Sequence, residues 1–194
     1  PFAVADALLG LGLADEKQLR VQCADINARV LAHLQRVSQA KGHELSLLSD
    51  VADKPAMPLT DDYKRYFRTL GDAIGKSAAL AVPPEFAGRL GKRLTIRPEL
   101  LAKFAATRLN VITERLASTP QFDLIVVTNV FPYFNDLELL SGLTNLAKML
   151  AESGYLVHNE PRVTAPAVTQ ALGLPVLHSR TFLIAATGAG ERAT

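Results

Sequence analysis

The feature that most constrains this chain is the run at residues 123–128, DLIVVT, four consecutive apolar residues with a polar residue at each end. A strand that is apolar on both faces belongs in the middle of a parallel sheet covered by helices on both sides. Its surroundings agree. Downstream, Leu139, Leu140, Leu143, Leu146, Ala147 and Leu150 mark one face of a helix, with Asn135 or Asp136 at its start and Gly154 just beyond its end. Residues 155–158 then form another strand. Upstream, residues 19–24 (LRVQCA) are of strand type and end at Asp25, and from Asn27, a plausible N-cap, Val30, Leu31, Leu34 and Val37 recur at helical spacing. Strand, acidic residue, helix is the first half of a βαβ unit.

The remaining segments complete an expected α/β fold with a doubly wound, mostly parallel sheet. Residues 3–13 read as a helix already under way, 108–112 (RLNVI) as a short strand, and 175–186 as a closing antiparallel hairpin around Ser179-Arg180. Five prolines punctuate residues 41–98, which read as an irregular insertion with a helix near 61–70, a loop through Pro83-Pro84 and a strand at 93–96. That insertion is either a lid over a ligand or a packed excursion. The 194 residues, 48% of them hydrophobic, suit one domain, spanning residues 1–194, with a sizeable core.

Charge and cysteine content narrow the function classes. A net charge of +2, with only a mild basic excess between Lys41 and Arg108, argues against nucleic acid and against an anionic membrane as partner. No apolar run approaches the roughly 18 residues that span a bilayer. Cys23 is the only cysteine, so an internal disulfide is impossible and a reducing, cytoplasmic compartment is the expectation. Its position inside a strand makes it a core residue. His33, His43, His158 and His178 show no paired metal-ligand spacing, and no metal is expected.

In an open parallel sheet, ligands bind beyond the carboxyl ends of the strands. Those ends carry Asp25, then Asn110 and Val111, then Thr128 and Asn129, then His158, Asn159 and Glu160. A carboxylate at a strand tip followed by a helix is the arrangement that receives the two hydroxyls of a nucleoside ribose, because it accepts both hydrogen bonds at once.

The stretch at 122–136, FDLIVVTNVFPYFND, resembles the fourth motif of class I S-adenosylmethionine-dependent methyltransferases. It looks most like the branch of the chemoreceptor glutamate methyltransferases, in the spacing of Asn129, Val130, Tyr133, Phe134 and the acidic residue after them. QCADIN, with Asp25 and Ile26, is similar to the family's ribose-binding motif, and Asn110-Val111 to its pair beside the adenine. Tyr66-Phe67 with the basic strand after it, and HNEPR at 158–162, resemble further parts of that branch. The resemblance implies a Rossmann-like fold, S-adenosyl-L-methionine as cofactor, and cofactor contacts from Asp25, Ile26, Asn110, Val111, Thr128 and Asn129. Three departures qualify it. The family's first strand and Gly-rich loop are missing from the chain, whose residues 1–5 look like the start of the helix after that loop, so the natural protein is expected to continue upstream. Thr128 stands where the branch has Arg. The branch's N-terminal helical domain is not visible either.

Methyl transfer from a sulfonium is an in-line displacement, to which a protein contributes alignment and exclusion of water. The resemblance implies a small-molecule or protein acceptor methylated at a carboxylate or hydroxyl oxygen. A carboxylate is ionised at neutral pH and needs no base; for a hydroxyl, His158 is the first candidate. Tyr133 is expected beside the sulfonium, where its ring offers cation–π attraction, and Phe134 is expected to pack. Glu160 and Arg162 are either substrate-mouth residues or solvated charges. The competing expectation is a non-catalytic methyltransferase-like interaction module.

Overall fold

The computed structural model describes residues 1–116, 121–159, 162 and 164–186. It is an α/β structure with both parallel and antiparallel pairing, and it separates into two compact units. One is Pro1–Thr107 joined by the segment beginning at Thr181, the other Arg108–Arg180.

The first unit runs α1 (Phe2–Gly10), β1 (Val21–Asp25), α2 (Ala28–Ser38), β2 (His43–Leu48), α3 (Asp61–Thr69), β3 (Gly75–Ala79), β4 (Gly91–Ile96), α4 (Pro98–Leu101) and β5 (Phe104–Arg108). The N-cap expected at Asn27 is present, its side chain accepting from the N–H of Arg29. Strands β1 and β5 pair, and β2, β4 and β3 form a separate antiparallel sheet in that order. Residues 41–98 are therefore not an irregular insertion: they hold the largest sheet among the described residues. In β4, Lys92, Leu94 and Ile96 point inward while Arg93 and Thr95 face out, the alternation of a sheet with one wet face. Pro55, Pro58, Pro83 and Pro84 lie in the connections and Pro98 opens α4, and β3 (GKSAA) is too small and polar to announce itself as a strand. Gly75 lets β3 close on β4, since a Cβ there would stand 2.2 Å from the carbonyl oxygen of Thr95. Leu94 and Ile96 join Ala5, Leu19, Val37, Ile74, Leu100, Leu101 and Phe104 in one core, so the segment is packed into the unit rather than laid over it.

The second unit runs β6 (Phe122–Val127), α5 (Asp136–Met149), β7 (Leu150–His158) and α6 (Ala165–Ala171). The expected parallel pairing is between β6 and β7, with Val126 opposite Val157 and Val127 opposite His158. Helix α5 opens with a full capping box between Asn135 and Glu138 and buries Leu139, Leu143, Leu146 and Met149 with Phe131, Leu109 and Ala165. On the opposite face of the strands Val126, Tyr155 and Val157 are exposed.

Three further expectations are corrected. Residues 108–112 are not a strand: β5 ends at Arg108, and Asn110 starts a turn in which its carbonyl accepts from the N–H groups of Thr113 and Glu114. Gly154 does not terminate α5, which passes directly into β7 at Leu150; the glycine lies within β7, where the register against β6 shifts. Residues 175–186 form no hairpin. The carbonyl of Ile184 accepts from Thr60, Ala186 donates to the carbonyl of Pro58, and Ala185 makes an isolated antiparallel bridge to Leu59. Apolar composition suggested strands there, yet these backbone groups are committed to residues 58–60.

Candidate functional site

At the carboxyl end of β6 the chain turns sharply at Asn129, whose φ of 57° is the only positive value at a non-glycine residue among the described residues. Asparagine tolerates this left-handed conformation better than most residues, and here the conformation is held by a partner. The N–H of Asn129 donates to Oδ1 of Asn159 at 3.0 Å, and Nδ2 of Asn159 donates to Oδ1 of Asn129 at 2.8 Å. Asn159 directly follows β7, so the reciprocal pair ties together the ends of the two parallel strands. Its role has no signature in the sequence beyond its place at a strand end.

Past Asn129, a single turn of 3₁₀-helix (Phe131–Tyr133) buries Phe131 and turns Tyr133 outward, where it is 82% exposed. The Phe131 ring meets His158 edge-on at 5.8 Å and Phe134 at 5.9 Å. Phe134 packs, as expected, beside Gly142 of α5, whose missing Cβ would lie 3.4 Å from its ring. His158 thus sits at the end of β7 with one side of its ring against the core. Arg162 donates to the carbonyls of Phe131 and Phe134 and reaches Asp136 at 3.4 Å. Its side chain is therefore a clamp on the loop that presents Tyr133, rather than a solvated charge. Glu160 lies outside the described residues.

Asn110 and Val111 are held by α5 as well. Nδ2 of Asn145 donates to the carbonyls of Val111 and Ile112 at 2.9 and 3.1 Å, while Oδ1 of Asn110 accepts from Ile112 at 3.1 Å. Thr128, Asn129, Tyr133 and His158 are thus gathered around the ends of β6 and β7, and Asn110-Val111 is pinned to the helix that follows the β6 loop.

Asp25 and Ile26 belong to the first unit. Oδ1 of Asp25 accepts from the N–H of Asn27 at 2.7 Å, an Asx turn that feeds α2. Oδ2 has no partner among the described residues and Ile26 beside it is 64% exposed, so a second acceptor and an apolar surface are both on offer. Cys23, two residues earlier, is half-buried against the core, and burial raises its thiol above the ordinary value. The Tyr66-Phe67 pair sits on α3 with Phe67 buried and Tyr66 half out, and burial raises the phenol of Tyr66. No group of His, Cys, Asp and Glu side chains suited to a metal ion occurs among the described residues.

No protein-family model matches the chain, and no curated protein matches it.

Proposed function

We propose that this chain is an S-adenosylmethionine-dependent methyltransferase of Rossmann-like fold, acting on an oxygen. The observation that carries the reading is the β6 loop: the segment whose spacing resembles the family's fourth motif ends a parallel strand in a locked left-handed Asn129 and holds Tyr133 out in solvent. Clamping by Arg162 and the capping box under it makes the presentation rigid, which is what alignment of reactants requires.

The residues fit the cofactor's chemistry. In the first unit Asp25 keeps an unspent oxygen of the kind that receives ribose hydroxyls, beside the exposed Ile26; in the second unit Asn110 and Val111 match the resemblance's adenine pair, and Thr128 and Asn129 end the strand of its fourth motif. When bound, the cofactor would supply an electrophilic methyl group to the acceptor oxygen. Tyr133 would offer the negative face of its ring to a positive sulfonium. A carboxylate acceptor arrives ionised and transfers no proton; a hydroxyl would lose its proton to His158.

Calorimetric titration with S-adenosylhomocysteine tests the reading. One-to-one binding in the micromolar range is expected, and absence of heat with folded protein would turn the reading toward the non-catalytic module.

A further inference from the structure

The amino ends of β1 and β5 lie side by side, the N–H of Val21 donating to the carbonyl of Lys103 at 2.9 Å. Beside them the first unit opens a cavity of about 730 Å³, within the range of small-molecule sites. Its wall includes Asp15, Glu16, Lys17, Arg20, Glu99 and Lys103. Nη1 of Arg20 donates to the carbonyls of Lys17 and Leu19 at 2.9 and 2.8 Å, and Nζ of Lys103 donates to that same Lys17 carbonyl at 3.4 Å. Two positive side chains therefore converge on one oxygen. Neither they nor Lys17 form an ion pair among the described residues. Of the acids in the wall, Glu16 pairs with Arg97 and Asp15 accepts from the N–H of Lys17, whereas the Glu99 carboxylate has no partner among the described residues.

Nη1 holds the Arg20 guanidinium in place, and the edge formed by Nε and Nη2 is left without a partner among the described residues. That edge can grip two oxygens of an oxyanion at once, and Lys103 keeps donors for a third. A carboxylate or a phosphodiester offers only two terminal oxygens; a phosphate monoester offers three, with a charge of about −1.5 to −2 at neutral pH. We infer that this cavity binds a small phosphate monoester, two of whose terminal oxygens take the Arg20 edge and the third Lys103, while Glu99 receives a hydroxyl or ammonium at the ligand's other end. The three acids in the wall repel a polyanion, so the ligand is a small molecule. Strand β1 runs from this site at Val21 to Asp25, about 13 Å away at the rise of an extended strand. The cavity is therefore separate from the carboxylate proposed for the ribose, and the inference does not rest on the methyltransferase reading.

The probes are inorganic phosphate, O-phosphoethanolamine, dimethyl phosphate and acetate at neutral pH and matched ionic strength, added to the ¹⁵N-labelled full chain and read at the backbone amides of Lys17, Val21 and Lys103. Phosphate is expected to give saturable shifts and to bind at least about tenfold more tightly than dimethyl phosphate or acetate, the scale of one further hydrogen bond between charged groups. O-phosphoethanolamine, which adds an ammonium for Glu99, should bind more tightly than phosphate.

Arg20→Lys keeps the charge and removes the two-oxygen edge, so phosphate should weaken about tenfold or more. Lys103→Gln removes the third contact and leaves the Arg20 anchors in place; it should bring phosphate down to the level of dimethyl phosphate, and it carries the test should the arginine variant fail to fold. Glu99→Gln should abolish the advantage of O-phosphoethanolamine and leave phosphate bound. Shifts that rise without saturating, equal affinity for phosphate and the two-oxygen anions, or undiminished phosphate affinity in Lys103→Gln would overturn the inference.

Discussion

The ammonium of Lys92 donates to the carbonyl oxygen of Leu70, the residue that ends α3. The same Nζ donates to the carbonyl of Arg68 at 2.9 Å and lies 5.9 Å from the ring centre of Phe67, although Lys92 is only 7% exposed. A cation closing the C-terminus of a helix complements its dipole, and here it does so from inside the β2–β4–β3 sheet. Burial pulls the Lys92 ammonium below its ordinary value, with Asp72 and Asp6 opposing that fall. Lys92→Met keeps the length of the side chain and leaves the carbonyls of Arg68 and Leu70 without their donor. It is expected to cost about 2–3 kcal/mol in urea unfolding, the range for losing hydrogen bonds to a charged group; a loss below about 0.5 kcal/mol would show that water replaces the ammonium.

His43 predicts a pH dependence in the first unit. Its Nε2 is buried without a hydrogen-bond partner among the described residues, and its ring lies 6.1 Å from Phe2 of α1 and 5.9 Å from His33 of α2. Burial first, and then the neighbouring His33, lower its folded-state pKa below the usual 6.5. Below 6.5 the unfolded chain therefore binds the proton more readily than the folded one. Stability is full above that value and falls as the pH drops through the lowered folded pKa. Urea midpoints measured from about pH 8 to about pH 5 should decline only in the acidic part of that range, and His43→Phe should flatten the decline. An equal slope in that variant would assign the acid sensitivity elsewhere.

Much of the fold was legible because its signals are local. Asn27 and Asn135 announced their helices through side-chain caps, and the apolar spacing of Leu139, Leu143 and Leu146 announced the buried face of α5. What stayed hidden depends on partners distant in sequence. Strand β3 exists because Gly75 fits under Thr95, and the segment around Ile184 is committed to residues 58–60 rather than to a hairpin. The candidate site divides in the same way. The strand-end position pointed to Asn129 and the motif resemblance to Tyr133, whereas the amide lock by Asn159 and the Arg162 clamp arise from side chains about 30 residues away, across a pairing that periodicity does not report.

Gly154 shows how a misplaced signal becomes a test. It was expected past the end of α5, yet it lies where β7 slips by several residues against β6, between the pairs Phe122–Leu150 and Leu124–Tyr155. A Cβ at Gly154 would stand 2.7 Å from the carbonyl oxygen of Phe122 and 2.9 Å from Cγ of Leu150. The oxygen belongs to the backbone of β6 and cannot swing aside. Gly154→Ala is expected to destabilise the second unit by about 1–3 kcal/mol through overpacking. Gly42→Ala, where a Cβ meets nothing within 4 Å, serves as the control and should change stability by less than about 0.5 kcal/mol. Equal melting temperatures for the two variants would mean that β7 reregisters at no cost.

Asp25 separates structure from ligand binding because its two oxygens do different things. Oδ1 accepts from the N–H of Asn27, whose own side chain caps α2, so Asp25→Ala removes a turn as well as a carboxylate. Asp25→Asn keeps an acceptor for Asn27 and removes only the charge and the second acceptor. If Asp25 receives the ribose hydroxyls, the asparagine variant should melt with the unaltered protein but bind S-adenosylhomocysteine about 1–3 kcal/mol more weakly, the usual loss of a hydrogen bond to a charged group. The alanine variant should be weakened in binding by at least as much and should also melt earlier, since the entry to α2 is loosened. Calorimetry and thermal melting on the same three proteins distinguish the cases. An asparagine variant with undiminished affinity would remove Asp25 from the binding site and leave it as a turn residue alone.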